Sequence, residues 1–205
     1  MSRGRSSLLT KEEIAASLEV CMEKKLLDKI TIIDITESSG VSRQMFYHYF
    51  SDRIELIQYL CRKYVKSPLY EDQMFYWERA VMQMLKSKEE HSENYHRLLH
   101  SKYSNVLKRV VQEELYLLYY CVIRYRICRT LPKELSEMLE HYCEQSAEIF
   151  CAWLDKDRTE SAESVRAQMR QVMPRQVEIL LTERAISLQD IFRERSLLNW
   201  AYETK

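Results

Sequence analysis

Glycine is almost missing from this chain. Two of its 205 residues are glycine, Gly4 and Gly40, and three are proline, where average usage would give roughly 14 glycines. Phosphate cradles of the GxGxxG or GxxxxGK[ST] type cannot be written with two glycines. All-β architectures need turn residues every few positions and are excluded on the same ground. What remains is an all-α protein with few sharp turns, so the places where glycine and proline do occur carry information.

Charge is balanced, with 31 Lys+Arg against 31 Asp+Glu. The chain as a whole is not drawn to polyanions, and any nucleic-acid surface must be local. The six cysteines form no CxxC pair and read as reduced thiols rather than a zinc or disulfide framework. The longest apolar run, Leu115 to Ile123, is closed by Glu114 and Arg124 and is far short of the ~20 residues a membrane span requires. No apolar leader precedes Lys11, Glu12 and Glu13. The expectation is a soluble, cytoplasmic protein with no membrane partner.

Residues 1–9 read as a flexible basic arm carrying Arg3 and Arg5. Thr10 with Glu13 is a capping box, opening a helix to about Lys25. Thr31 caps a two-turn helix, Ile32 to Ser39, which Gly40 stops. Ser42 caps the next helix, Arg43 to about Tyr49, and Ser51-Asp52 caps a fourth, reaching about Lys66. Further helices are expected at about 71–88, 93–100, 103–130, 133–155, 160–182 and 187–201. Thr159 should cap the fifth of these, and Pro174 should kink it near Met169–Arg170.

Two short helices joined at a single glycine form a helix-turn-helix. A helix that enters a DNA groove needs apolar anchors on one side only, here Val41, Phe46 and Phe50. Its other side offers Ser42, Arg43, Gln44, Tyr47 and His48, with no carboxylate to repel phosphates. The order of Thr cap, Gly-Val-Ser and Phe-Tyr-x-Tyr-Phe resembles the TetR family of bacterial transcriptional regulators, from about Thr10 to Leu56. The segment GVSRQMFYHYFSDRIEL matches that family's recognition helix and the start of its fourth helix. Many members have Gly-Thr where this chain has Gln44-Met45, and a lysine near Arg53.

The resemblance implies a three-helix DNA-binding domain at 1–50 and a helical effector-binding and dimerisation domain at 51–205. It implies a ligand-responsive repressor that binds a palindromic operator in double-stranded DNA as a homodimer, without enzymatic activity, cofactor or metal. Tyr47, Thr31 and Arg53 would contact phosphates, Gln44 and Arg43 would read bases, His48 could do either, and Met45 would touch a thymine methyl or sugar. Arg3 and Arg5 would enter a minor groove. The competing reading is a helical interaction protein or enzyme whose hairpin only looks like a helix-turn-helix.

In the remainder, aromatic side chains cluster between Tyr70 and Tyr125. Tyr76, Trp77, Tyr95, Tyr103, Tyr116, Tyr119, Tyr120 and Ile123 are the expected lining of a pocket for an unknown small-molecule effector. Leu139, Tyr142, Ile149 and Trp153, with Met169, Val172, Val177 and Leu180, are the expected dimer interface. The stripe Ile191, Leu197, Leu198 and Trp200 is the rival. His96 and His100 are spaced i,i+4 but have no HExxH glutamate or neighbouring cysteine, so no metal site is expected. Cys128, near Arg124 and Arg126, is the best-placed thiol for redox sensing.

Overall fold

The computed structural model describes residues 3–69, 72–155 and 160–195, and these form a stack of α-helices with one two-residue β-ladder. Helices α1 (Arg3–Lys24), α2 (Ile32–Ser39) and α3 (Arg43–Tyr49) form an N-terminal group. From it, α4 (Arg53–Leu69) leads into α5 (Trp77–Leu99), α6 (Ser104–Ile127), α7 (Lys133–Leu154), α8 (Ala162–Gln171), α9 (Arg175–Thr182) and α10 (Leu188–Arg195). Strands β1 (Met74–Phe75) and β2 (Ile186–Ser187) pair antiparallel, Met74 opposite Ser187. The all-α expectation holds.

The apolar run Leu115–Ile123 lies in the C-terminal half of α6, which packs against α4, α5, α7, α9 and α10. Leu115, Leu118, Val122 and Ile123 are buried there. Among the described residues no helix is long and apolar enough to cross a membrane. Beside α6 runs an aromatic ladder. The Tyr142 ring stacks on Tyr119 at 6.0 Å between centroids, and Phe75 meets Tyr119 edge-on at 6.2 Å. The Trp77 indole N–H donates to the Tyr142 hydroxyl at 3.1 Å.

Four expectations about the helices need correction. Residues 3–9 are the first turns of α1, not a flexible arm, and Thr10 lies inside that helix instead of capping it. Gly4, the weakest helix former there, falls in the first turn, where it costs least. The segments 71–88 and 93–100 are joined in α5, with one break at His91 (φ −126°, ψ 20°). The His91 ring stacks on Tyr64 of α4 at 4.0 Å. The expected 160–182 helix is split into α8 and α9, with Pro174 as the residue before α9 (φ −60°, ψ 138°). The pyrrolidine ring disfavours helical backbone at the preceding Met173, so the chain breaks after α8 and does not merely bend. Finally, Ser161 caps α8, its hydroxyl accepting from the Ser164 N–H at 3.2 Å. Thr159, Tyr70, Leu197, Leu198 and Trp200 lie outside the described residues.

The N-terminal group is clasped by one carboxylate. Thr31 and Asp34 form a reciprocal box at the start of α2. The Asp34 N–H donates to the Thr31 hydroxyl at 3.2 Å, and the Thr31 N–H donates to the Asp34 carboxylate at 2.8 Å. Lys25, just beyond α1, donates to the other carboxylate oxygen at 2.5 Å. One side chain therefore ties the end of α1 to the start of α2. The Lys25 hydrogen bond and those from Thr31 hold the Asp34 carboxyl down at about 2.

Two stability measurements follow from these contacts. Tyr142→Phe strands a buried indole N–H, a loss of about 1–3 kcal/mol, and urea unfolding of the variant should show it as a lower midpoint at unchanged slope. A carboxyl whose folded pKa is depressed contributes stability above its unfolded value, and this is lost as pH falls through the folded one. Asp34→Asn should therefore unfold at lower urea than wild type at neutral pH. The gap should close as pH falls from the ordinary value of 3.8 towards about 2; a pH-independent gap would contradict the assignment.

Candidate nucleic-acid interface

The turn between α2 and α3 is built from four consecutive residues. Gly40 ends α2 in the left-handed region (φ 72°, ψ 8°), a conformation that costs a side-chain-bearing residue about 1–2 kcal/mol. The Val41 N–H donates to the Ser39 hydroxyl at 3.4 Å. Ser42 caps α3, its hydroxyl accepting from the Met45 N–H at 3.1 Å. Phe46 and Phe50 then turn inward and are fully buried, 5.8 Å apart. Phe50 meets Tyr59 of α4 edge-on at 5.6 Å, and the Lys11 ammonium of α1 lies over both rings. The inward side of α3 is thereby fixed to α1 and α4.

The outward side carries the predicted reading residues. Arg43, Gln44, Met45, Tyr47 and His48 are all exposed, Tyr47 by 56%. Arg43 and Tyr47 make no hydrogen bond or ion pair among the described residues, so their polar ends are available to a ligand. Ser42, Gln44, Met45, His48 and Tyr49 line a shallow groove of about 450 Å³. Tyr49 is an addition to the expected set; it sits edge-on to His48 at 4.9 Å. An α-helix with its side chains is about 10–12 Å across, a width matched to a DNA major groove of about 12 Å.

The expected phosphate contacts are placed differently. The Thr31 hydroxyl is engaged with Asp34 in both directions, donating to the carboxylate at 2.9 Å. Arg53, in the first turn of α4, donates to the Tyr103 hydroxyl and packs on that ring. The side chains of Arg3 and Arg5 lie outside the described residues, while their backbone belongs to α1. Nothing in the local spacing marks Lys11 or Tyr103, because both contacts depend on how helices far apart in sequence pack.

The expected pocket residues are divided. Trp77, Tyr95, Tyr119 and Ile123 are core. The Tyr95 hydroxyl pairs with Ser87 at 3.0 Å, and burial pushes the Tyr95 and Tyr119 hydroxyls well up. Tyr76 is exposed with the Arg79 guanidinium against its ring. Tyr116 and Tyr120 are half-buried neighbours, and the Tyr116 hydroxyl pairs with Ser136 at 2.8 Å. Tyr116 also lines a concavity of about 320 Å³ with Arg109, Gln112, Glu113 and Glu140.

Of the expected interface, Leu139, Tyr142, Trp153, Met169 and Val177 are buried within the chain itself, while Ile149, Val172 and Leu180 are half-exposed. Burial pushes the Cys61 and Cys151 thiols up to about 12 and Cys143 well above its usual range. Cys128 is exposed at the end of α6, its thiol donating to the Tyr125 carbonyl. Among the described residues no three His, Cys, Asp or Glu side chains are grouped to hold a metal.

No protein-family model matches the chain. The HTH-type dhaKLM operon transcriptional activator DhaS of Lactococcus lactis subsp. lactis (strain IL1403) is 22% identical over 95 residues, 46% of this chain. The chain spans about half the length of that curated relative, 51%. Among solved structures, the dihydroxyacetone kinase operon activator DhaS superposes with a TM-score of 0.59 at 16% identity, covering 84% of this chain and 98% of that one. A TetR-family transcriptional regulator from Streptomyces coelicolor superposes with a TM-score of 0.51 at 15% identity, covering 95% of this chain and 100% of that one. With its helix-turn-helix at α2–α3 and its helical stack behind α4, the chain has the all-α fold of the TetR-family transcriptional regulators.

Proposed function

We propose that this chain is a DNA-binding transcriptional regulator that reads a palindromic operator as a homodimer and responds to a small-molecule effector. The observation that carries this reading is α3. It is short, is capped by Ser42 and is buried on one side only through Phe46. Its exposed side has hydrogen-bonding and cationic groups and no carboxylate. The similar proteins are themselves named as transcriptional regulators.

Gln44 and Arg43 lie in the first turn of α3, where base edges are met, with adenine and guanine as their respective preferences. Tyr47 is one turn on and suits a phosphate, with His48 and Met45 beside the groove. One such helix makes few base contacts, so two copies are required to read successive grooves. The side chains that support self-association are those left outside the core on α7, at the end of α8 and on α9: Ile149, Val172 and Leu180, joined by Met138 at 37% exposure and Ile179 at 52%. The effector site is read as the face of α6 near Tyr116 and Tyr120, and α4 as the rod joining it to α3. Repression by occupying a promoter is the mode we infer. DhaS is by its name an activator, so a reporter assay decides the sense for this chain. Action on chromosomal DNA places the protein in the cytoplasm.

The test uses duplexes from the region flanking the protein's own gene. Gln44→Ala should cost about 1–3 kcal/mol on the bound duplex and flatten discrimination at one base pair per half-site. Tyr47→Phe should weaken bound and scrambled duplexes alike. If Gln44→Ala leaves the base-preference profile unchanged in fluorescence anisotropy, Gln44 is not a reading residue. If the protein binds no duplex with a steep salt dependence, the regulator reading itself fails.

A further inference from the structure

The corner between α5 and α6 reaches back to the DNA-facing end of the molecule. Its Lys102 N–H donates to Asp28, in the short 3₁₀ turn Leu27–Lys29, at 3.2 Å. Its Tyr103 is buried, 7% exposed, and the Tyr103 N–H donates to the Ser101 hydroxyl at 3.1 Å. Arg53, in the first turn of α4, donates to the Tyr103 hydroxyl, with its guanidinium carbon 5.3 Å from the ring centroid. The Lys102 ammonium lies 5.2 Å from the same ring. Two cations thus share one phenol, and the hydroxyl holds one of them inward.

We propose that Tyr103 controls how far Arg53 is available to DNA: the buried hydroxyl competes with a backbone phosphate for the Arg53 guanidinium. A phosphate carries a full opposite charge and can accept two parallel N–H bonds from a guanidinium, where a neutral phenol accepts only one, so contact with DNA draws Arg53 off Tyr103. The exchange is reciprocal. Anything that shifts the start of α6, and Tyr103 with it, alters DNA affinity through Arg53, without touching the bases that α3 meets. Tyr103 is a positioning residue in this account, and the inference rests on the reading that the chain binds DNA through α3.

The experiment measures binding of the full chain to a mixed-sequence duplex across a salt series, because a phosphate contact is blind to sequence. Arg53→Gln should bind more weakly, with the log–log salt slope shallower by about 0.9 for each phosphate that Arg53 no longer neutralises. Tyr103→Phe keeps the ring against Lys102 and removes only the hydroxyl. It should bind about 3- to 10-fold more tightly than wild type, and the double variant should match Arg53→Gln alone. Tyr103→Phe binding no tighter than wild type, while Arg53→Gln weakens, overturns the competition and leaves the DNA-binding reading standing. Arg53→Gln unchanged in both affinity and slope overturns the phosphate assignment and the proposal with it. A wild-type protein that binds no duplex overturns the regulator reading instead.

Discussion

A seven-residue helix has too few internal hydrogen bonds to persist in water by itself. α3 exists because Phe46 and Phe50 are buried beneath it, against Tyr59 of α4 and under Lys11 of α1. Everything else about the N-terminal group follows from that one-sided anchoring. The burial fixes which face of α3 is outward, the Ser42 cap fixes where it starts, and Gly40 lets α2 end early enough to turn into it. Asp34 closes the arrangement from behind by joining Lys25 to the first turn of α2.

The same anchoring makes α4 the joint between α3 and the rest of the molecule. Tyr59 of α4 touches the base of α3, while its Tyr64 donates to Glu19 of α1 at 2.5 Å and stacks on His91 at the break in α5. Asn94 of α5 donates to the Tyr64 hydroxyl at 2.9 Å. Arg62 pairs with Glu113 of α6 at 2.7 Å, and Arg53 meets Tyr103. A rotation of α4 therefore has to break polar contacts to α1, α5 and α6 together, which favours discrete positions over continuous bending.

The legible parts of the sequence are those whose physics is local. Thr31, Gly40 and Ser42 act within three or four residues of themselves, so the bounds of α2 and α3 can be read directly. The period of an apolar stripe says that a face is buried, not what buries it. The stripes through Leu139, Tyr142 and Val177 suit a second copy by their period, yet these side chains face their own chain. Trp77 and Tyr142 are 65 positions apart, and Arg53 and Tyr103 are 50 apart; no local spacing marks either pair. The start of α1 is hidden because a helix beginning with polar residues has no apolar stripe to declare it.

The proposed function makes α3 a DNA-reading helix that a homodimer presents twice. Selection of bound duplexes from a random pool by the full chain tests it most directly. The account predicts convergence on an inverted repeat whose half-sites lie about one helical turn, or a multiple of it, apart, with purine preferences that shift when Arg43 is replaced. A pool that shows no enrichment at moderate salt, or a motif unaffected by any substitution on the outward side of α3, would contradict it.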